Sequence, residues 1–392
     1  MVAGPKRAWW GVLVLLGAAC AFRPAGEGTG GGEGGRGGSG GSGGGAGAVA
    51  GGSSGGIGGA SGGGSAGGVS SGSGGPPITC SAASGGSSGS WTGSGRVATL
   101  LESGVGGVDL AAGRNWVYWV LPDLGSGGAI ASVPVDGGTV VILNAIPDPD
   151  GLAADSDYVY WSEGLAGVIA REPAGGGVVT TLATGQVQPR GLLVAGETLF
   201  WVNEGSTGTT GGGTVERMPK GGGSVTTLVT GLEAPGRLAT DGRNVFWTEN
   251  GDGGVTGSVV KAPVGGGAPT TLATGQYEPW GLAVDSDSVY WTNNPMGVAD
   301  FCQGSVAKVA IGGGAVTTLA SGLDGPGSLV VNQGTVYFNV CRGALPVAAV
   351  PADGGEVVKV VSGPPSCPFD LTANAKSLFW IDQYRVFRLD FQ

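Results

Sequence analysis

The sequence contains no histidine, few charged residues and fewer basic residues than acidic ones. Lys and Arg number 19 against 29 Asp and Glu in 392 residues, which gives a formal net charge of −10. Without histidine the chain has no Ser-His-Asp or Cys-His nucleophile, no His-ligated metal site and no HExxH helix. The scarcity of basic residues argues against a nucleic-acid partner, because phosphate binding needs clustered Lys and Arg. The cysteines also lack the C-x-x-C spacing of a metal site, so we expect neither a metal nor a cofactor.

A short apolar segment near the N-terminus has the pattern of an export signal. Lys6 and Arg7 precede the apolar run Trp9–Ala19, which is too short to span a bilayer as a mature helix. The run ends in LGAAC and resembles a bacterial lipoprotein signal, in which Cys20 would become the lipidated first residue. The leucine usual three residues before that cysteine is a glycine here, and Ala19-Cys20-Ala21 also fits ordinary secretion.

The predicted location is therefore the cell envelope. The resemblance to a lipoprotein signal implies that residues 1–20 are the signal. Because no aspartate directly follows Cys20, it also implies an anchor in the outer membrane. A secreted or periplasmic protein is the alternative. Residues 21–79 follow as a linker, and positions 26–75 alone hold 29 of the 88 glycines. Such a segment has little to bury, so we expect it to be disordered, with a span of about 40 Å.

The remaining residues, 80–392, form a repeat marked by pairs of aromatic residues. The period is 40 to 47 residues, and each unit divides into four short strands, here named a to d. Strand b is apolar on both faces, which suits a blade covered on both sides by neighbouring blades. The period and the strands predict an all-β propeller. The pairs are Tyr118-Trp119, Tyr160-Trp161, Phe200-Trp201, Phe246-Trp247, Tyr290-Trp291, Tyr337-Phe338 and Phe379-Trp380. We expect them to pack between blades rather than to stack on a ligand.

The two ends of the repeat complement each other. The last unit stops after strand c, and the segment Arg96–Leu101 resembles the strand d motif VTTLATG. We therefore predict seven blades, with this N-terminal strand completing the last one and removing an exposed sheet edge. Six blades are the alternative.

Residues 96–392 resemble several propeller families. Strand b carries an aromatic residue, then Trp, then Thr or Val, and then Asn or Glu. This pattern is similar to the YWTD repeat of lipoprotein-receptor propellers and to TolB-like and NHL-type bacterial propellers. The YWTD family has six blades. The streptogramin lyases are seven-bladed and also look similar, but their chemistry uses histidine, so the resemblance does not imply that activity here. It implies the architecture and no particular function.

The candidate binding residues lie where loops connect the strands. In a blade the d–a and b–c loops share one rim, and these loops vary here, whereas the a–b and c–d turns are short and stereotyped. We predict that residues following the d–a prolines and residues ending strand b form a polar, mostly acidic ring around the central mouth. The members are Asp150, Arg190, Trp280, Phe369, Glu163, Asn203, Glu249, Asn293 and Asp382. The alternative is that they bond to neighbouring loops.

Four cysteines remain after Cys20, as expected for two disulfides in an exported domain. We predict Cys302–Cys341 across neighbouring blades and Cys80–Cys367 between the N-terminal segment and the last blade. Cys341–Cys367 is the main alternative.

Two functions fit these features. The first is a monomeric, non-enzymatic binding or scaffold propeller at the cell surface that presents its variable rim to a protein or glycan. The second is a histidine-independent hydrolase or lyase acting in the mouth. It would need two convergent carboxylates among Glu163, Glu249, Asp150 and Asp382, one with a raised pKa.

Overall fold

The structure is a computed structural model and consists of antiparallel β-sheets. It describes the following ranges: 98–103, 107–121, 128–205, 211–251, 256–295, 303–342, 346–361, 367–383 and 385–391. The predicted signal and linker, Cys20, Cys80 and Cys302 lie outside these ranges. Across the described ranges, no helix is long and apolar enough to cross a membrane.

The strands are short, and most have the Val, Thr and aromatic content of packed sheets. In chain order they are β1 (Thr99–Ser103), β2 (Val108–Ala112), β3 (Trp116–Leu121), β4 (Gly128–Pro134), β5 (Val141–Ile146), β6 (Pro149–Ala154), β7 (Tyr158–Glu163), β8 (Val168–Pro173), β9 (Thr180–Ala183), β10 (Pro189–Ala195), β11 (Thr198–Asn203), β12 (Gly213–Pro219), β13 (Thr226–Leu232), β14 (Pro235–Thr240), β15 (Asn244–Glu249), β16 (Gly257–Pro263), β17 (Thr270–Gln276), β18 (Pro279–Val284), β19 (Ser288–Asn293), β20 (Gly304–Ala310), β21 (Thr317–Asn332), β22 (Thr335–Arg342), β23 (Val347–Pro351), β24 (Val358–Lys359), β25 (Asp370–Ala373), β26 (Ser377–Ile381) and β27 (Arg385–Asp390).

These strands group into seven antiparallel units of four. Units 1 to 4 are β2–β5, β6–β9, β10–β13 and β14–β17, and unit 7 joins β25–β27 to β1. Strand β21 is shared, because its first half pairs with β20 as strand d of unit 5 and its second half pairs with β22 as strand a of unit 6. The innermost strands contact one another in sequence around the ring, including β2 with β25. The prediction of a β-propeller is confirmed.

The N-terminal strand completes the last unit, as predicted. Thr99 pairs with Arg388 and Ser103 with Arg385, so β1 lies outside β27 and runs antiparallel to it. This register places the start of β1 on the side that carries the a–b and c–d turns, which we call the hairpin rim. The opposite side, with the d–a and b–c loops, is the loop rim. The chain therefore enters the propeller at the hairpin rim.

The aromatic pairs form the core between units, as expected. In each case the first aromatic residue of a unit shares a buried cluster with the second aromatic residue of the next unit. The seven combinations are Tyr118 with Trp161, Tyr160 with Trp201, Phe200 with Trp247, Phe246 with Trp291, Tyr290 with Phe338, Tyr337 with Trp380 and Phe379 with Trp119. The last combination joins unit 7 to unit 1, so the same apolar contact recurs around the closed ring.

Polar side chains on the hairpin rim form hydrogen bonds within the propeller itself. Asp155 accepts hydrogen bonds from the amides of Asp157 and Tyr158, both at 2.8 Å, and from the Tyr160 hydroxyl at 3.0 Å. The c–d turns rely on glycines with positive φ, such as Gly175 at +85°. A basic side chain of strand c also reaches a backbone carbonyl of the next unit in four cases: Arg171 to Lys220, Arg217 to Val264, Lys261 to Ile311 and Arg388 to Val135.

The predicted pairing of cysteines was wrong. Cys341 is bonded to Cys367, with their Cα atoms 4.2 Å apart, so neither Cys302–Cys341 nor Cys80–Cys367 forms. The end of strand b in unit 6 lies directly against the loop that enters unit 7. Asn339 confirms this neighbourhood, because its side-chain amide donates to the Pro368 carbonyl at 2.8 Å. The alternative pairing is therefore the one observed.

Candidate functional site

A cavity of about 240 Å³ occupies the central channel and is lined by the innermost strands of all seven units. Most of the lining residues are apolar, and every unit contributes at least one leucine. The polar lining residues are Asp109, Arg237, Ser328, Asp370 and Thr372. The first four stand at or near the start of a strand a, so they lie toward the loop rim. This end of the cavity, which we call the mouth, concentrates the polar chemistry of the channel.

Two carboxylates and one guanidinium meet at the mouth. Arg237 extends from unit 4 to units 1 and 7, with its Nη1 2.9 Å from Asp109 Oδ1 and its Nη2 3.5 Å from Asp370 Oδ2. The Arg237 side chain is 33% exposed, whereas those of Asp109 and Asp370 are 10% and 3% exposed. The ion pairs therefore bridge the channel and leave part of the Arg237 side chain open to solvent.

The two carboxylates also fasten neighbouring units together. Asp370 of unit 7 accepts a hydrogen bond from the Leu110 amide of unit 1 at 2.8 Å, and Asp109 accepts one from the Leu152 amide of unit 2 at 2.9 Å. The Ser328 hydroxyl of unit 6 donates to Asp370. These bonds connect units 6, 7, 1 and 2 in sequence, which gives the pair a structural role at the closure of the ring.

Burial perturbs the ionisation of Asp109. Desolvation is the largest influence on Asp109 and, with the nearby Asp370 carboxylate, raises the pKa of Asp109 to about 7 against the opposing effect of Arg237. Asp109 also adopts a φ of +51°, a left-handed conformation that is uncommon outside glycine and asparagine. A raised pKa and an unusual backbone conformation in one cavity residue are features that cluster at functional sites.

Two of the predicted binding residues come together beside the mouth. Asp150 and Arg190 stand at the same repeat position in units 2 and 3, and Arg190 Nε lies 4.0 Å from Asp150 Oδ2. Arg190 Nη2 lies 2.5 Å from Glu204 Oε2. Burial raises the pKa of Asp150 to about 6, with Arg190 and Arg237 opposing the shift. The influence of Arg237 indicates that this pair and the Asp109–Arg237–Asp370 group lie at the same end of the channel.

Four residues at the ends of strand b lie outside the lining of the cavity and form hydrogen bonds elsewhere. Glu163 and Glu249 accept hydrogen bonds from the indoles two residues earlier, at 3.3 and 2.9 Å. In units 3 and 5 a glutamine accepts from both the indole and the strand-end asparagine. These bonds join Trp201 and Asn203 to Gln186, and Trp291 and Asn293 to Gln276.

The three other predicted site residues also lie outside the lining of the cavity. Asp382 is buried and forms an ion pair with Arg385 at 2.8 Å. Phe369 is half-buried and packs on the cluster between the last and first units. Trp280 is half-buried and directly precedes the lining residue Gly281.

Sequence reasoning missed Asp109, Arg237, Ser328 and Asp370. It assigned the mouth to the residue after each d–a proline, whereas the lining position is one residue later, directly before the strand leucine. In most units a register shift in strand a occurs at this point. Such a bulge redirects the side chains. A signal was present, because this repeat position is glycine in units 2, 3 and 5 and polar in the other four.

Comparisons with known proteins show the fold alone. No family model and no curated protein matches the chain. Virginiamycin B lyase from Staphylococcus aureus is 12% identical, with a TM-score of 0.58 over 75% of this chain and 97% of that one. A catalytically inactive histidine-to-alanine variant of that lyase with quinupristin gives the same identity and TM-score over 75% and 99%. The computationally designed protein Ika8 is 15% identical, with a TM-score of 0.51 over 74% and 98%. At these identities the similarities support a β-propeller fold, in agreement with the strand topology.

Proposed function

We propose that this chain is a non-enzymatic binding propeller of the cell envelope that presents its loop rim to a protein or glycan partner. The observation that carries the proposal is the mouth. Part of the Arg237 side chain is exposed there, and beside it Arg190 Nε has no hydrogen-bond partner among the described residues. In contrast, polar groups on the hairpin rim, such as Asp155, accept hydrogen bonds from the backbone of the turns there.

The placement of the variable loops supports this assignment. They share one rim of the propeller, and binding sites usually lie on variable loops of a rigid scaffold. In this proposal a lipid on Cys20 anchors the chain to a membrane, with residues 21–79 as the linker.

The similarity to a lyase gives no reason to propose the same reaction. The histidine-to-alanine variant of virginiamycin B lyase is catalytically inactive, and the present chain contains no histidine at all. A propeller can carry unrelated functions on the same scaffold, so function must be argued from the site.

A carboxylate-based hydrolase or lyase is the second candidate. Of the carboxylates first considered, Glu163, Glu249 and Asp382 are engaged within their own units. The observation that favours this candidate is the different pair Asp109 and Asp370, since the pKa of Asp109 is raised to about 7. Asp109→Asn should abolish any hydrolysis of a glycan panel by the full chain. Persistence of hydrolysis in that variant would eliminate the pair as its source.

The binding proposal is tested by asking whether the protein captures a ligand through its loop rim. The full chain is immobilised and exposed to envelope extracts and a glycan array, beside Arg190→Glu at the loop rim and Arg114→Glu on the exposed turn of unit 1. We expect a ligand that binds the wild type and the Arg114 variant and is lost from the Arg190 variant. Equal binding by all three proteins, or no ligand for any, would contradict the proposal.

The anchor is tested separately. We expect wild-type chain expressed in a Gram-negative host to fractionate with membranes and to incorporate labelled palmitate. Cys20→Ser should lose both properties and appear in the soluble fraction, because cysteine lipidation requires the thiol. Unlabelled wild-type chain in the soluble fraction would instead indicate ordinary secretion.

A further inference from the structure

We propose that the chain binds a protein partner through an apolar knob on the loop rim of units 2 and 3, which consists of Leu165, Ala166 and Val187. The partner surface that fits this knob is an apolar depression flanked by Lys or Arg side chains. The inference rests on the proposed binding function and specifies the class of partner and the point of contact.

The apolar knob combines exposed side chains from two adjoining loops. Leu165 is 85% exposed, more than any other large apolar side chain in the described ranges, and Val187 is 44% exposed. Leu165 and the exposed Ala166 belong to the b–c loop of unit 2, and Val187 belongs to the d–a loop that enters unit 3. The two loops touch, because the Gln186 amide donates to the Gly167 carbonyl at 3.0 Å. The other large apolar side chains that are exposed in the described part of the chain lie on strand d or on c–d turns.

The b–c loop of unit 2 is held by hydrogen bonds, so that it presents Leu165 on a fixed backbone. The Asp148 carboxylate accepts from the Leu165 amide at 2.8 Å, and the Asp148 carbonyl accepts from the Gly164 amide at 3.1 Å. The Gly167 amide donates to the Glu163 carbonyl at 2.9 Å. A loop that is already ordered loses little conformational entropy when a partner binds to it.

Packing explains the two glycines of this loop but not the apolar residues between them. A Cβ atom at Gly164 would lie 3.0 Å from Asp150 Oδ2, and one at Gly167 would overlap the Gln186 carbonyl oxygen. Gly167 also has a φ of +65°, which favours glycine. The two residues between the glycines are exposed, so their apolar side chains gain no burial from the propeller. Apolar side chains grouped at the surface within a polar surround are typical of an interaction site.

Carboxylates surround the apolar knob and outnumber the basic groups. The b–c loop follows Glu163 and is held by Asp148, and Asp150 lies against its first residue. Arg190 is the basic residue of these loops, and it is paired with Glu204 at 2.5 Å and with Asp150 at 4.0 Å. Four carboxylates beside one guanidinium favour a partner with basic side chains next to its apolar depression, because complementary charge steers association and like charge opposes it.

The composition of the knob favours a protein over a glycan or a membrane. Aliphatic side chains gain from leaving water when the partner surface is apolar, whereas a glycan presents mainly hydroxyl groups that lose by such burial. The surrounding carboxylates would be repelled by the anionic lipids of a membrane surface. A protein with an apolar depression and basic flanks meets both conditions.

The first measurement identifies what the apolar knob contacts. The full chain carries the photoreactive residue p-benzoylphenylalanine in place of Leu165, and a control protein carries it in place of Val178. Val178 is the matched control, because it is 82% exposed in the same unit but lies on the c–d turn at the hairpin rim. Both proteins are irradiated in an envelope extract of the producing cells, in the same extract after protease digestion, and with vesicles of phosphatidylethanolamine and phosphatidylglycerol. We expect a protein adduct at position 165 in the intact extract alone, and none at position 178.

The second measurement uses the protein identified in the adduct, purified, and compares its affinity for variants of the full chain by calorimetry. Leu165→Ser should lower the affinity about 10- to 50-fold, as expected for the lost burial of an aliphatic side chain, and Val178→Ser should leave it unchanged. Asp148→Asn keeps an acceptor for the Leu165 amide and removes one charge. It should weaken binding about two- to fivefold at low salt, and this difference should disappear at high salt. Thermal unfolding establishes that each variant is folded.

Other outcomes overturn the inference in distinguishable ways. Adducts with the vesicle lipids, or with a second copy of the chain alone, would replace the protein partner by a membrane or by a dimer. A glycan that depends on Arg190, without a protein adduct at position 165, would refute the inference and leave the proposed function standing. So would a captured protein that binds Leu165→Ser as tightly as the wild type but fails to bind Arg190→Glu. Absence of any ligand that depends on the loop rim would overturn both proposals.

Discussion

Replacing Asp109 by asparagine should change how the stability of the propeller depends on pH. The folded protein raises the pKa of Asp109 from 3.8 to about 7, chiefly through burial. Between these two values the folded state binds more protons than the unfolded state, so the stability from this group falls as pH rises. The contribution is complete below the unfolded pKa and is lost as pH rises through about 7. Asparagine does not titrate and should remove it.

The expected magnitude follows from the size of the shift. Each pH unit between the two pKa values is worth about 1.4 kcal/mol, so wild-type stability should fall by about 2–3 kcal/mol between pH 5 and pH 8 from this group alone. Asparagine tolerates the φ of +51° at this position. Its carbonyl can accept from the Leu152 amide or from Arg237 but not from both, because its NH₂ only donates. The variant should therefore also lose some stability at every pH, and the pH dependence of the difference carries the prediction.

The assay is thermal unfolding followed by tryptophan fluorescence at pH 5 and pH 8. Six tryptophans are buried between units and report on the opening of the ring, namely Trp119, Trp161, Trp201, Trp247, Trp291 and Trp380. The wild-type Tm should fall between these pH values by about 5–10 °C more than that of Asp109→Asn. Asp150, whose pKa is also raised, contributes in the same direction to both proteins and cancels in the comparison. Parallel Tm profiles for the two proteins would refute the reasoning.

Two further perturbations address the scaffold. Gly281→Ala would place a Cβ atom 2.5 Å from the Gly327 carbonyl oxygen and should destabilise the propeller by about 1–3 kcal/mol. Gly265→Ala meets nothing within 4 Å and is the matched control, so equal urea midpoints for the two variants would contradict the packing argument. Cys341→Ser opens a disulfide with a sequence separation of 26 and should cost about 3–4 kcal/mol. Reductant should lower the Tm of the wild type to that of this variant, and a Tm already equal without reductant would show that the disulfide adds no stability.

The architecture was predictable because every unit contains a strand that must be buried on both faces. Strand b is apolar on both faces, as Val289, Tyr290 and Trp291 illustrate, and such a strand needs a neighbour on each side. The missing strand d at the C-terminus and the spare one at the N-terminus then indicated closure. The sequence did not reveal that the strands of units 5 and 6 merge into β21, since continuity depends on the path of the backbone through Asp324 and Gly325.

The candidate site was predictable only in part, because a bulge intervenes. Asp150 and Arg190 were identified from their position after a proline, and they lie beside the mouth. Asp109, Arg237 and Asp370 occupy the next repeat position, which faces the channel after a local change of register in units 1 and 4. The binding of the Trp161 and Trp247 indoles by a glutamate two positions later follows from the alternation of a strand, so the role of Glu163 and Glu249 was predictable from the sequence.

The pairing of cysteines was not accessible in the same way. Cys341 and Cys367 are neighbours because the end of one unit's strand b meets the start of the next unit's strand a. The positions of the cysteines in the repeat gave no distances among them.

The pairing of β1 with β27 has a consequence for how the chain acquires its structure. The first strand of the propeller has no partner until nearly the whole remaining chain has been made, since Thr99 pairs with Arg388. Contacts between such distant residues carry a large loop-closure cost and are typical of slow steps in folding. Until then, β1 and the edge of unit 1 are open to pairing with other chains. The interval before ring closure is therefore when a nascent molecule is most vulnerable to aggregation and proteolysis.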